Sequence, residues 1–324
     1  MNTQKLKHQL IKFQSVIALL IMCIALSFLS DRFLTPENGW NVMRQISVNI
    51  VISVGMTLVI LTGGIDLSVG SILALAGAVT AVMLKFGAEI ESLNVYLGFT
   101  LLGALLGGTL VGAFLGWFNG FTITRFKVPP FVATLAMLTI ARGLTMLLTG
   151  GFPITGFSNE MAFIGTGWFL GVPMPVWISA VVVFMAVVLT KKTRLGRHIY
   201  AVGGNETAAE LSGLKIKRIK LIVYTIAGAL AGIGGILVTS RLDSAQPNAG
   251  TGFELDSIAA VVIGGTSLSG GKGTILGTVQ GALIIGILNN GLVLLNVSPF
   301  WQQVIKGLVI LLAVVIEKLN SRGK

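Results

Sequence analysis

From residue 14 to residue 316 one apolar run follows another, with little polar chain between them. A bilayer-crossing helix needs roughly 17–25 predominantly apolar residues. Runs near that length occupy 14–29, 47–62, 67–84, 94–118, 131–149, 175–190, 219–239, 274–291 and 300–316, with a shorter one at 255–265. A water-soluble core cannot absorb so many apolar faces. Charged residues make up only 11% of the chain, against about 25% in soluble domains. The expected fold is all-α and polytopic, with about ten transmembrane segments, broken or half helices among them.

Lys5, Lys7 and Lys12 precede the first run in the manner of a signal peptide. No small-residue cleavage site follows, so a retained first helix is expected. With the N-terminus cytoplasmic, alternating segments put most of the 23 basic residues inside, among them Arg125, Lys127, Lys191, Arg197, Lys215 and Lys220. Outer connections collect Asp31, Glu37, Glu89, Glu160, Asp243, Glu254 and Asp256. Orientation follows the Lys and Arg bias, so both termini are expected in the cytoplasm. This gives a cytoplasmic tail at 1–13 and a single transmembrane domain at 14–324, with a cytoplasmic insert at 191–220. The net charge of +11 is then an orientation signal, and no nucleic-acid partner is implied. Cys23 is the lone cysteine, His8 and His198 lie far apart, and no metal-ligand spacing occurs. Neither a Ser–His–Asp set nor a carboxylate pair is placed for catalysis, so neither an enzyme nor a cofactor is expected.

The run at 255–265 would span about 16 Å, half of the hydrocarbon core. The loop after it, "GGTSLSGGKG" at 264–273, shares G-G-x-x-L-S-x-G with "GGIDLSVG" at 63–70. Interrupted segments in two halves of a chain point to a transport pathway. In "GGTLVGAFLGWFNG", Gly108, Gly112, Gly116 and Gly120 share one helix face, the small-residue pattern of close helix contact; Gly228 and Gly232 repeat the spacing. "SGGKGT" resembles a phosphate loop, but Thr266 stands where its first glycine belongs and Gly273 where the metal-binding hydroxyl belongs. No ATP site of the chain's own is expected.

Ionisable groups near apolar segments default to a functional hypothesis. Asp66, with Ser68 beside it, either caps a half-helix or lines a pathway. Arg142 either lines a pathway or pairs with a helix-end carbonyl, and Lys306 is expected to snorkel outward. Asn49, Asn119, Gln280, Asn289 and Asn290 can hydrogen-bond a neutral polyol or a neighbouring helix.

The insert contains a short helix with Asn205 as N-cap, Glu206 in the first turn and Gly213 as its stop. Ala208, Ala209 and Leu211 give it a small apolar surface, with Ser212 at its end. So short a helix is marginal in water and is expected to dock on another subunit.

"GMTLVILTGGIDLSVGS", "TRLGRHIYAVGGNETAAELSG" and "SAQPNAGTGFELDSIAAVVIGGTSLSGGKG" resemble the permease subunit of bacterial ABC sugar importers, the binding-protein-dependent monosaccharide permeases. The resemblance is greatest to the ribose-transporting branch. It implies an inner-membrane homodimer that works with a cytoplasmic ATPase subunit and a periplasmic sugar-binding protein. It also implies that "GGNETAAELSG" is the helix seated in the ATPase. Related permeases carry other monosaccharides, sugar alcohols or autoinducer-2. A different reading, a proton-coupled secondary transporter using Asp66, leaves the capped insert helix without a task. A channel is disfavoured because no ring of like charge lines a segment.

Overall fold

The computed structural model describes residues 17–90 and 95–322. Its helices are α1 (Ile17–Leu29), α2 (Pro36–Leu61), α3 (Val69–Lys85), α4 (Leu101–Phe126), α5 (Pro130–Thr149), α6 (Asn159–Thr166), α7 (Met174–Lys192), α8 (Arg194–Gly204), α9 (Glu206–Leu211), α10 (Ile216–Leu242), α11 (Phe253–Ile263), α12 (Ile275–Leu294) and α13 (Pro299–Arg322). By length and composition six of them, α2, α4, α5, α7, α10 and α12, can cross a membrane; α1, α3 and the first part of α13 are shorter apolar helices. The chain is a multi-pass, mostly helical membrane protein.

Helix boundaries follow local chemistry. Thr35, Thr100, Ser158, Thr193, Asn205 and Thr274 cap their helices by accepting a backbone N–H in the first turn. At the end of α10, Asp243 takes a left-handed backbone, and its Oδ1 accepts the Phe157 N–H at 3.0 Å. Short antiparallel ladders form at that end of the bundle: β1 (Ala88–Ile90) with β2 (Val95–Leu97), β3 (Ile154–Thr155) with β6 (Ser244–Ala245), and β4 (Trp168–Phe169) with β5 (Val172–Pro173). Trp168 packs edge-on against Trp40 there, and Arg44 lies over its ring. The opposite end carries α8, α9 and the α4–α5 turn; α9, that turn and the start of α10 line one cleft.

From Ile46 to Leu61, α2 is buried on nearly every face, as expected of a helix apolar all round. α10 packs against it and against α3 and α4. The α4–α10 contact is made by main chain. A Cβ on Gly112 would overlap the Gly228 carbonyl oxygen, and one on Gly116 the Tyr224 carbonyl oxygen. A Cβ on Gly120 would lie 3.0 Å from the Leu221 Cα, and Gly108 faces Thr80 and Ala76 of α3. Four residues apart on the outward side, Leu102, Leu106, Leu110 and Phe114 are exposed. The glycine face meets protein, and the leucine face is left for lipid.

Several boundaries differ from the hydropathy runs. α2 begins at Pro36, eleven residues before the run at 47, because Thr35 and Pro36 start the helix through a polar first half. α4 begins at Leu101, since β2 takes 95–97. The insert holds a second helix, α8 (Arg194–Gly204), before the short one expected after Asn205. The tail at 1–13, residues 14–16 of the first run and residue 94 lie outside the described residues. Lys306 does not snorkel: its Nζ pairs with Asp256 Oδ2 at 3.1 Å. Asp256 is buried in α11 rather than free in an outer connection.

Candidate functional site

Thr193 caps α8, and Asn205 both closes α8 and caps α9, its side chain accepting the Ala208 N–H at 2.9 Å. Gly213 follows α9 with φ of +84°, the left-handed backbone that ends a helix without a Cβ penalty. Glu206 is held by Lys220 of α10, whose Nζ donates to both carboxylate oxygens at 2.7 Å. Leu211 is 85% exposed and Ala208 is exposed, whereas Ala209 is 5% exposed and packs inward. Burial pushes the Tyr200 phenol above its ordinary range, and its hydroxyl donates to the Gly273 carbonyl at 2.9 Å.

The other polar candidates fall into three places. Between α2 and α3, Asp66 Oδ1 accepts the Ser68 N–H at 2.9 Å and the Ser68 hydroxyl at 2.5 Å. Asn119 of α4 donates to that hydroxyl at 2.9 Å, and Thr134 of α5 donates to the Ile65 carbonyl at 3.3 Å. Asp66, Ser68 and Asn119 are all buried, so this set ties the break between two helices to two neighbouring helices. Asp66 Oδ2 and the Tyr224 hydroxyl have no hydrogen-bond partner among the described residues.

The second place is a re-entrant stretch. After β6 the chain turns back into the bundle as irregular backbone, and at Gly250 it lies against Gly70, in the first turn of α3. Arg142 of α5 donates from Nη1 to the Pro247 carbonyl at 2.6 Å and the Ala249 carbonyl at 2.9 Å. Glu254 Oε1 accepts the Gly252 N–H at 3.2 Å and lies within electrostatic reach of Arg142. Irregular backbone within such a bundle needs partners for its carbonyls, and Arg142, half-buried, supplies two.

In the third place Asn289 of α12 donates to Asp256 Oδ2 at 3.5 Å, beside Lys306. Asn290 exchanges two hydrogen bonds with Asn38 at 3.1 and 2.8 Å, joining α12 to the start of α2. Asn49 is buried within α2. The candidates therefore form separate clusters rather than one cavity. Among the described residues, no group of His, Cys, Asp or Glu is placed to hold a metal.

Residues 39–314 match the family model described as "Branched-chain amino acid transport system / permease component". The chain belongs to this permease family. The permease is 50% identical over 317 residues to the ribose import permease of Escherichia coli K12, covering 96% of this chain and 95% of that one. It is 50% identical over 313 residues to the ribose import permease of Bacillus subtilis 168, covering 96% and 94%. The D-allose transport system permease of Escherichia coli K12 is 40% identical over 303 residues, covering 94% and 90%. No solved structure matches.

The sequence allows a carbonyl partner for Arg142 but places it at a helix end rather than in the stretch at 246–252, and it shows neither the Asp256–Lys306 pair nor α8. A signal for that stretch was available: "SAQPNAGTG" combines proline, glycine and polar residues immediately after an apolar run, the composition of irregular chain. Nothing local announces the ion pair, whose partners stand fifty positions apart.

Proposed function

We propose that the permease is the membrane subunit of an ATP-driven, binding-protein-dependent sugar importer of a bacterial inner membrane, with ribose as cargo. The observation that carries this reading is the 50% identity, over nearly the whole length, to ribose import permeases of two different bacteria. Identity to the allose permease is lower, at 40%, and to the xylose permease of Haemophilus influenzae it is 32%. The family description names amino-acid systems, but these four relatives carry monosaccharide names.

The permease acts as a homodimer with a cytoplasmic ATPase subunit and a periplasmic sugar-binding protein. Both termini lie in the cytoplasm, and about ten segments cross or enter the bilayer. Residues 14–324 form one transmembrane domain, and 191–220 is its cytoplasmic insert. Within that insert Asn205, Glu206, Ala208, Leu211, Ser212 and Gly213 build the helix that seats in the ATPase, with Ala209 fixing it to the bundle. The exposed Ala208 and Leu211 support this reading, since a leucine held out from a capped helix has apolar surface to bury. Asn49, Asp66, Ser68, Asn119, Arg142, Asn289 and Asn290 belong to the helices around the translocation pathway. Arg142 is the half-buried member of that set; the other six are buried.

The test is uptake of labelled ribose, allose and xylose into proteoliposomes holding the permease and its ATPase, with sugar-loaded binding protein outside and ATP inside. Ribose accumulation that requires all three proteins is expected. Accumulation driven by a proton gradient without ATPase would sink the reading in favour of a secondary transporter.

A further inference from the structure

A helix as short as α9 moves cargo only through what it is joined to. Asn205 is at once the last cap of α8 and the first cap of α9, so no loop lies between the two helices to take up motion. Behind that shared cap, α8 ends against main chain. A Cβ on Gly203 would overlap the carbonyl oxygen of Leu61, the last residue of α2. That same oxygen accepts the Gly271 N–H at 3.0 Å. A Cβ on Gly270 would lie 2.9 Å from the Gly203 oxygen and 3.0 Å from the Gly63 nitrogen. One on Gly271 would lie 2.7 Å from the Gly204 Cα. The Tyr200 hydroxyl bonds the Gly273 carbonyl of the same loop.

The two stretches that share G-G-x-x-L-S-x-G therefore meet here, with the end of α8 wedged against both. One leads through Asp66 into α3, and the other leads into α12. Side chains between packed elements can absorb a small shift by changing rotamer; touching backbones have no such freedom and transmit the shift.

We propose that Gly203, Gly270 and Gly271, with Tyr200, form a rigid joint that carries displacement of α9 to both helix breaks at once. These are positioning residues, and the proposal rests on the reading of α9 as the ATPase-coupling helix.

The experiment uses permease reconstituted with its ATPase subunit and a ribose-binding protein. It measures co-purification of the ATPase, basal hydrolysis, and hydrolysis stimulated by ribose-loaded binding protein. Gly203→Ala forces α8 off Leu61. Tyr200→Phe removes only the bond to Gly273. Gly204→Ala is the control, because a Cβ there meets nothing within 4 Å. The first two variants should keep the ATPase bound and basal hydrolysis intact while the stimulation ratio falls, about tenfold and about fivefold, within the range of coupling between sites. Gly204→Ala should match the wild type. Where Gly203→Ala does not accumulate in the membrane, the Tyr200→Phe ratio decides. Stimulation within about twofold of wild type for Tyr200→Phe, or an equal loss in Gly204→Ala, overturns the joint. A wild-type permease that neither binds an ATPase nor stimulates it overturns the coupling reading instead.

Discussion

On α9, Ala208 faces water and Ala209 faces the bundle, so one substitution at the two positions has two meanings. Ala208→Arg should leave a folded permease that no longer co-purifies with the ATPase, because a bulky charge enters the seat; burying an unpaired charge costs several kcal/mol. Ala209→Arg should instead lower the amount of folded protein, measured by fluorescence-detected size exclusion. Equal co-purification of wild type and Ala208→Arg would remove α9 from the ATPase interface. Arg142 gives a second test. Hydrogen bonds to a charged group are worth roughly 1.5–3 kcal/mol each, and Arg142→Gln loses the charge behind two of them. Hydrogen exchange at 246–252 should speed up, with ribose uptake falling about tenfold, the equivalent of 1.4 kcal/mol. Unchanged exchange there would show that the stretch holds itself in place. Both caps of α9 were legible because Asn205 and Gly213 act locally. The inward turn of Ala209 was not, since a two-turn helix of small residues has no clear apolar face until its neighbour is known.

Among whole elements, α4 depends on one face and α13 on one pair. Gly112→Leu or Gly116→Leu should prevent α4 from closing on α10 and abolish folded permease, while Leu106→Ala on the outward face should be tolerated. Normal yield of both glycine variants would show that the two helices can part without loss. The Asp256–Lys306 pair joins α11 to α13, with Asp256 buried and the Lys306 side chain 28% exposed. Breaking a buried pair by removing one partner costs about 3–5 kcal/mol, and partial exposure reduces this to about 2 kcal/mol. Lys306→Met alone should therefore lower the melting temperature, and adding Asp256→Asn should recover part of the loss. A double variant no better than the single one would show that the pair is not energetically coupled. The glycine face was readable because a four-residue spacing survives in any helix. The start of α2 was not, because Asn38, Asn41, Arg44 and Gln45 dilute the apolar signal that hydropathy measures.

For the molecule as a whole, orientation rests on charge placement and is open to direct test. In a Cys23→Ala background, a cysteine at Glu160 should react with an impermeant thiol reagent added from outside. Cysteines at Lys127 and Lys215 should stay silent until the membrane is opened. The reverse pattern would invert the topology. The order of spans was legible because lipid imposes one requirement on every segment. How the spans meet was not, because it is decided by backbone contacts between distant residues: Gly77 with Gly235, Gly264 with Gly277, and Gly281 with Ala260. Such seams also limit how a chain like this can change over generations. A residue packed through its side chain can drift, one methyl group at a time, with a neighbour making room. At Gly112, Gly116 or Gly281 the smallest addition already strikes a carbonyl of another segment, and that carbonyl is present whatever the other residue becomes. No compensating replacement exists. Side-chain-packed positions, the lipid-facing stripe and the loops have room to vary; at the seams of the bundle, any added Cβ forces the helices apart.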